Sequence, residues 1–141
     1  MSATTEMDNK INAVTAKIEA TGNHKKPRIG GLIGALQKGG TLIDNVLVSG
    51  NINVTDTINE NSAASIGGLL GNIRSVDNVT ISSSKSSVNM TSDAEFIGGI
   101  VGQVNGSASS LVELTGVKYG GMLSSTSSKT KHIGGIIGQV I

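Results

Sequence analysis

One hexapeptide constrains this chain more than any other feature. Ile-Gly-Gly-apolar-apolar-Gly occurs four times in 141 residues, from Ile29 to Gly34, Ile66 to Gly71, Ile97 to Gly102 and Ile133 to Gly138. Successive copies begin 37, 31 and 36 residues apart. A six-position pattern that recurs at nearly constant spacing is an internal repeat, and periods of roughly 20–50 residues belong to solenoids and related arrays. Each copy is followed two places later by an apolar residue, Leu36, Ile73, Val104 or Val140. That alternation continues past the glycines and fits a strand.

Further β-like runs lie between the hexapeptides. The first repeat has Asn45-Val46-Leu47-Val48-Ser49-Gly50 and Asn51-Ile52-Asn53-Val54; the second has Asn78-Val79-Thr80-Ile81 and Ser87-Val88-Asn89-Met90; the third has Leu111-Val112-Glu113-Leu114 and Val117-Lys118-Tyr119. Alternation, β-branched residues and short runs favour strands, about three per repeat. Serine-rich stretches, Ser82 to Ser87 and Ser124 to Ser128, read as turns of variable length on a constant frame.

Composition agrees. With one Phe, one Tyr, no Trp and 20 Gly, the core must be aliphatic, which suits thin stacked rows of similar side chains. When coils stack at about 4.8 Å, equivalent residues lie over one another, so a sharp turn or close approach must lack a Cβ in every coil. Gly30, Gly67, Gly98 and Gly134 form one expected column, and Gly31, Gly68, Gly99 and Gly135 the next; Gly34, Gly71, Gly102 and Gly138 close each hexapeptide. A phosphate-binding loop would need Lys-Ser/Thr and a helix after the glycines, and no copy has them. The expected fold is all-β, a β-solenoid of about three to four coils over residues 29–141, preceded by an N-terminal α-helix.

The hexapeptides resemble the GLUG repeat of bacterial and protist surface proteins, through Gly31-Leu32-Ile33-Gly34, Gly68-Leu69-Leu70-Gly71, Gly99-Ile100-Val101-Gly102 and Gly135-Ile136-Ile137-Gly138, with Ile replacing Leu in two copies. The resemblance runs through residues 29–141 by this short motif. It implies an extracellular or cell-surface setting, a stalk, spacer or adhesin role, and no catalysis within the repeats.

Residues 1–28 read differently. Met7, Ile11, Val14 and Ile18 are spaced four, three and four apart, along one stripe of a helix. Thr5 and Asp8 suit its start and Gly22-Asn23 its stop, which predicts a helix over residues 5–21. A lone helix this short needs a partner, so the stripe is expected to cap the solenoid or join another copy. His24-Lys25-Lys26-Pro27-Arg28 reads as a solvated basic hinge.

Chemistry-bearing residues are sparse. A net charge of +1 invites neither nucleic acid nor an anionic membrane. The absence of cysteine excludes disulfides and thiolate metal sites. No run reaches the length of a membrane span, which argues against membrane insertion, and the first twenty residues lack a signal peptide's apolar core. His24 and His132 have no second histidine nearby. Asp93 and Glu95, expected on one strand face, form a single carboxylate pair without a visible acid-base partner. Asp44-Asn45-Val46 and Asp77-Asn78-Val79 recur as an expected asparagine turn ladder; the alternative, calcium between Asp44 and Asp77, lacks the usual alternating Asp/Gly spacing. Sequons at Asn53, Asn78, Asn89 and Asn105 are accounted for by the abundance of Ser and Thr. No catalytic residue, metal or cofactor is expected. The expectation is a non-catalytic structural protein forming a homo-oligomer or head-to-tail filament, with Met7, Ile11, Val14, Ile18, Ile137 and Val140 as association residues. The alternative is an adhesin module binding a glycan or host protein on a solenoid face, although the faces are rich in Ser, Thr and Asn and the one tyrosine is Tyr119.

Overall fold

Alternating apolar and polar residues make strands, and the glycine hexapeptides bend the chain between them. The computed structural model describes residues 12–21, 26–37, 41–55, 64–74, 78–106 and 111–141. It begins with strand β1 (Asn12–Thr21). The first coil holds β2 (Arg28–Gly30), β3 (Ile33–Leu36), β4 (Thr41–Asp44) and β5 (Val46–Thr55). The second holds β6 (Ser65–Gly67), β7 (Leu70–Arg74), β8 (Val79–Ser82) and β9 (Lys85–Ser92). The third holds β10 (Phe96–Gly98), β11 (Val101–Asn105), β12 (Val112–Thr115), β13 (Lys118–Tyr119) and β14 (Leu123–Ser125), and β15 (His132–Gly134) with β16 (Ile137–Val140) opens another coil.

Every pairing is parallel and joins one coil to the next, which makes a β-solenoid of about three turns. Four sheets enclose the core. The first is β2-β6-β10-β15, the second β3-β7-β11-β16, the third β4-β8-β12, and the fourth β1-β5-β9 continued by β13 and β14. A coil therefore has four faces where three strands per repeat were expected, because the hexapeptide contributes two short strands on either side of its glycine elbow.

The helix expected over residues 5–21 is a strand from Asn12 onward, paired in register with β5. Residues 5–11 lie outside the described residues. The physical reason is visible in the alternation of Val14, Ala16, Ile18 and Ala20, which turn inward while Thr15, Lys17 and Glu19 are exposed. Counting the two alanines as core residues converts a helical stripe into a period of two.

Stacking produces continuous aliphatic rows. Ile29, Ile66, Ile97 and Ile133 are paired in register, as are Ile33, Leu70, Val101 and Ile137, and Leu36, Ile73, Val104 and Val140. Ile18, Ile52, Met90 and Leu123 form a row in the fourth sheet. In the second coil Ile66, Leu69, Leu70, Ile73 and Ile81 are fully enclosed. Burying each such side chain contributes roughly 1.5–3 kcal/mol, so these rows supply the main favourable term.

The elbow explains the glycines. At Gly30, Gly67, Gly98 and Gly134, which stand in register, an added Cβ would fall onto the carbonyl oxygen three residues ahead, that of Ile33, Leu70, Val101 or Ile137. At Gly31, Gly68 and Gly99 it would meet the carbonyl oxygen of the next coil's glycine, and also the side chain of Val48, Ser86 or Tyr119 across the core. No real Cβ approaches backbone this closely.

A separate turn column joins the third and fourth sheets. Asn45, Ser83 and Gly116 all have positive φ, at 55°, 47° and 63°, and the Asn45 and Ser83 amides donate to Ser82 and Thr115 of the following coil. Asp44 lies beside Ser82, whose hydroxyl donates to the carboxylate at 2.7 Å. The expected equivalence of Asp44-Asn45 with Asp77-Asn78 is thus corrected: Asn45 stacks on Ser83, whereas Asn78 precedes β8, and Asp77 lies outside the described residues. Variable turn lengths had hidden the register.

Replacing Gly68 with valine is expected to destabilise the protein by about 3 kcal/mol or more, through overpacking against backbone that cannot yield. Gly120→Ala, where the nearest atom is a lysine side-chain carbon at 3.6 Å, should change stability by less than about 0.5 kcal/mol. Urea titrations of both variants check the contrast.

Candidate functional site

The residues weighed for catalysis are dispersed by the fold. Asp93 and Glu95 sit at the corner between β9 and β10 and do not share a strand face as expected. Asp93 is buried there, and Glu95 forms an ion pair with Lys131. His132 stacks on Phe96 in the neighbouring coil with ring centroids 5.6 Å apart. His24 lies outside the described residues. Among the described residues no group of three or more His, Cys, Asp or Glu could hold a metal ion, and no helix is long and apolar enough to cross a membrane.

Tyr119 is a packing residue. It continues the inward row of Val14, Val48 and Ser86. Its ring occupies the space that the missing Cβ of Gly99 leaves, and its hydroxyl donates to the Val88 carbonyl at 2.8 Å. Burial pushes the phenol's pKa up from its ordinary value.

A polar ladder missed at the sequence level runs through the second sheet. The residue after the last glycine of each hexapeptide is Ala35, Asn72, Gln103 or Gln139, and these are in register. Asn72 Nδ2 donates to Gln103 Oε1 at 2.8 Å, and Gln103 Nε2 donates to Gln139 Oε1 at 2.7 Å. Because Asn72 and Gln103 are buried, each bond removes a desolvation penalty as well as linking coils. The signal, one polar residue after each of three hexapeptides, was present in the sequence.

The outer face of the fourth sheet is a regular polar surface. Lys17, Asn51 and Asn89 form one exposed column and Glu19, Asn53 and Thr91 the adjacent one. These side chains line a shallow hollow of ≈ 380 Å³. Met122 tops the first column, its amide accepted by Asn89 Oδ1 at 3.0 Å, and is 71% exposed.

The two ends of the solenoid carry the apolar rows to the surface. Ile133 and Val140 are 52% and 67% exposed, and Ile136 and Ile141 join them, whereas Ile66 and Ile97 in the first row are fully enclosed. Ile137 remains packed against the core. Val14 and Ile18, expected to associate through a helix, lie on β1 at the opposite end of the fourth sheet and pack against the core. Met7 and Ile11 lie outside the described residues.

Gln103→Leu should cost about 1–3 kcal/mol by leaving the Asn72 donor buried without its acceptor, as measured by chemical denaturation. Tyr119→Phe should cost about 1 kcal/mol near neutral pH. The raised phenol pKa contributes stability that is present below pH about 10 and is lost as pH rises through the folded-state value. Melting temperatures taken from pH 8 to 11 should therefore fall less steeply in Tyr119→Phe than in the parent.

Compared with known proteins, the chain matches no family model, and no curated protein or solved structure is significantly similar to it.

Proposed function

We propose that this chain is a non-catalytic structural repeat protein whose solenoids associate end to end, as a subunit or segment of a fibre or surface layer. The observation that carries the reading is the row Ile29, Ile66, Ile97 and Ile133, enclosed at its centre and exposed at its last member. An aliphatic row and an unpaired parallel edge form a template for another strand. The resemblance of the hexapeptides to GLUG repeats supports the same reading, with a setting outside the cell. Successive coils are chemically alike, so what stacks within a molecule also stacks between molecules.

Light scattering and electron microscopy of the concentrated protein test this. Particles that grow with concentration into rods are expected, and Ile133→Lys combined with Val140→Glu should return them to single molecules. A parent that stays monomeric at high concentration would overturn the reading.

The hollow on the fourth sheet favours a second reading, an adhesin module holding a glycan. Its amides and hydroxyls offer donors and acceptors in columns one strand spacing apart, suited to a neutral polyol. Retention on immobilised cellulose, chitin or mannan, lost in Asn51→Ala with Asn89→Ala, is the expected result. Equal retention of parent and variant would remove this reading.

A further inference from the structure

The fourth hexapeptide contains a glycine that its own molecule does not use. A Cβ on Gly31, Gly68 or Gly99 would strike the carbonyl oxygen of the following coil's glycine, whereas a Cβ on Gly135 would meet nothing within 4 Å. Gly135 also lacks the positive φ that would restrict a side chain. Its missing Cβ fits a carbonyl arriving from outside the molecule.

The hydrogen bonds run in the same direction. Gly31, Gly68 and Gly99 N–H groups donate to Gly67, Gly98 and Gly134 of the following coil. The N–H pairs of residues 32–33, 69–70 and 100–101 donate to the carbonyls of Leu69, Ile100 and Ile136. The next donors in the series are the N–H groups of Gly135, Ile136 and Ile137, and the first coil offers the matching acceptors on Gly30 and Leu32.

The ends also have matching steps. The fourth sheet extends one strand beyond the first coil, as β1, while the first and second sheets extend one strand beyond the third coil, as β15 and β16. We infer that a second copy of this chain seats on the last coil in a stepped joint, its β1 completing the coil that β15 and β16 open, and its Gly31 carbonyl lying over Gly135. This rests on the end-to-end association proposed above and specifies its geometry. β1 of one copy then pairs with β13 and β14 of the other, Lys17 following Met122 in the outer column, and β2 and β3 pair with β15 and β16. Each copy advances the rod by four strand spacings, about 19 Å. In the third sheet, β12 and the second copy's β4 stand two spacings apart.

Gly135→Ala separates this joint from other modes of association. It should melt within a few degrees of the parent yet lose rod formation in light scattering and electron microscopy. The chain has no cysteine, so designed pairs report contacts cleanly. Oxidised Lys17→Cys with Met122→Cys should give a ladder of covalent oligomers, since neighbouring strands lie within disulfide reach. Leu42→Cys with Glu113→Cys, two spacings apart in the joint, should give none. Rods that persist in Gly135→Ala, or that show the second ladder without the first, would overturn the stepped joint while leaving end-to-end association standing; a parent that forms no rods overturns both.

Discussion

The structure depends on how closely one coil's backbone lies against the next at the glycine elbow. Two carbonyl oxygens occupy the space where Cβ atoms would stand, one from three residues ahead and one from the following coil. This contact lets a strand turn sharply without lifting its neighbours apart, so the first and second sheets remain in register on both sides of the bend. The aliphatic rows, the amide ladder and the packing of Tyr119 all follow from that alignment. A bulkier elbow would separate the coils and shift every row together.

The same constraint explains why so much of the fold was legible. A steric requirement repeated in every coil leaves the same residue in every copy, and Gly30, Gly67, Gly98 and Gly134 display it openly. Requirements that several residue types can meet leave no such trace. The left-handed turn is occupied by Asn45, Ser83 and Gly116, which share a backbone conformation and no side-chain chemistry. Alignment by residue identity therefore coupled Asn45 with Asn78, one turn out of place. β1 was hidden for another reason: Ala16 and Ala20 are neutral in a search for large apolar residues, although small side chains suffice beside Gly50 of the adjacent strand. The ladder of Asn72, Gln103 and Gln139 was legible, since all three immediately follow a repeat glycine.

Chemical function is less visible because a solenoid separates frame from surface. Its interior rows fix the fold, while outward columns vary at little energetic cost. Lys17, Asn51 and Asn89 become neighbours through stacking, although they are 34 and 38 residues apart in sequence. No local motif announces such a surface. The exposed rows at the ends are likewise properties of the stacked assembly.

In-register pairing between coils has a kinetic consequence. Neighbouring strands are separated by a whole coil of sequence, as Ile66 is from Ile97 and Ile29, so short-range segments bury little when formed alone. The entropy of closing a loop of about thirty residues must be met before the first row gains a member. Folding should therefore begin with two adjacent coils meeting, after which each further coil docks on an existing edge with less loss of freedom. The second coil, flanked on both sides, is the natural site for that encounter. Its serine-rich turn at Ser82 to Ser84, where Ser84 Oγ receives the Val46 amide and donates to the Ser82 carbonyl, ties two coils across the corner where the fourth sheet starts.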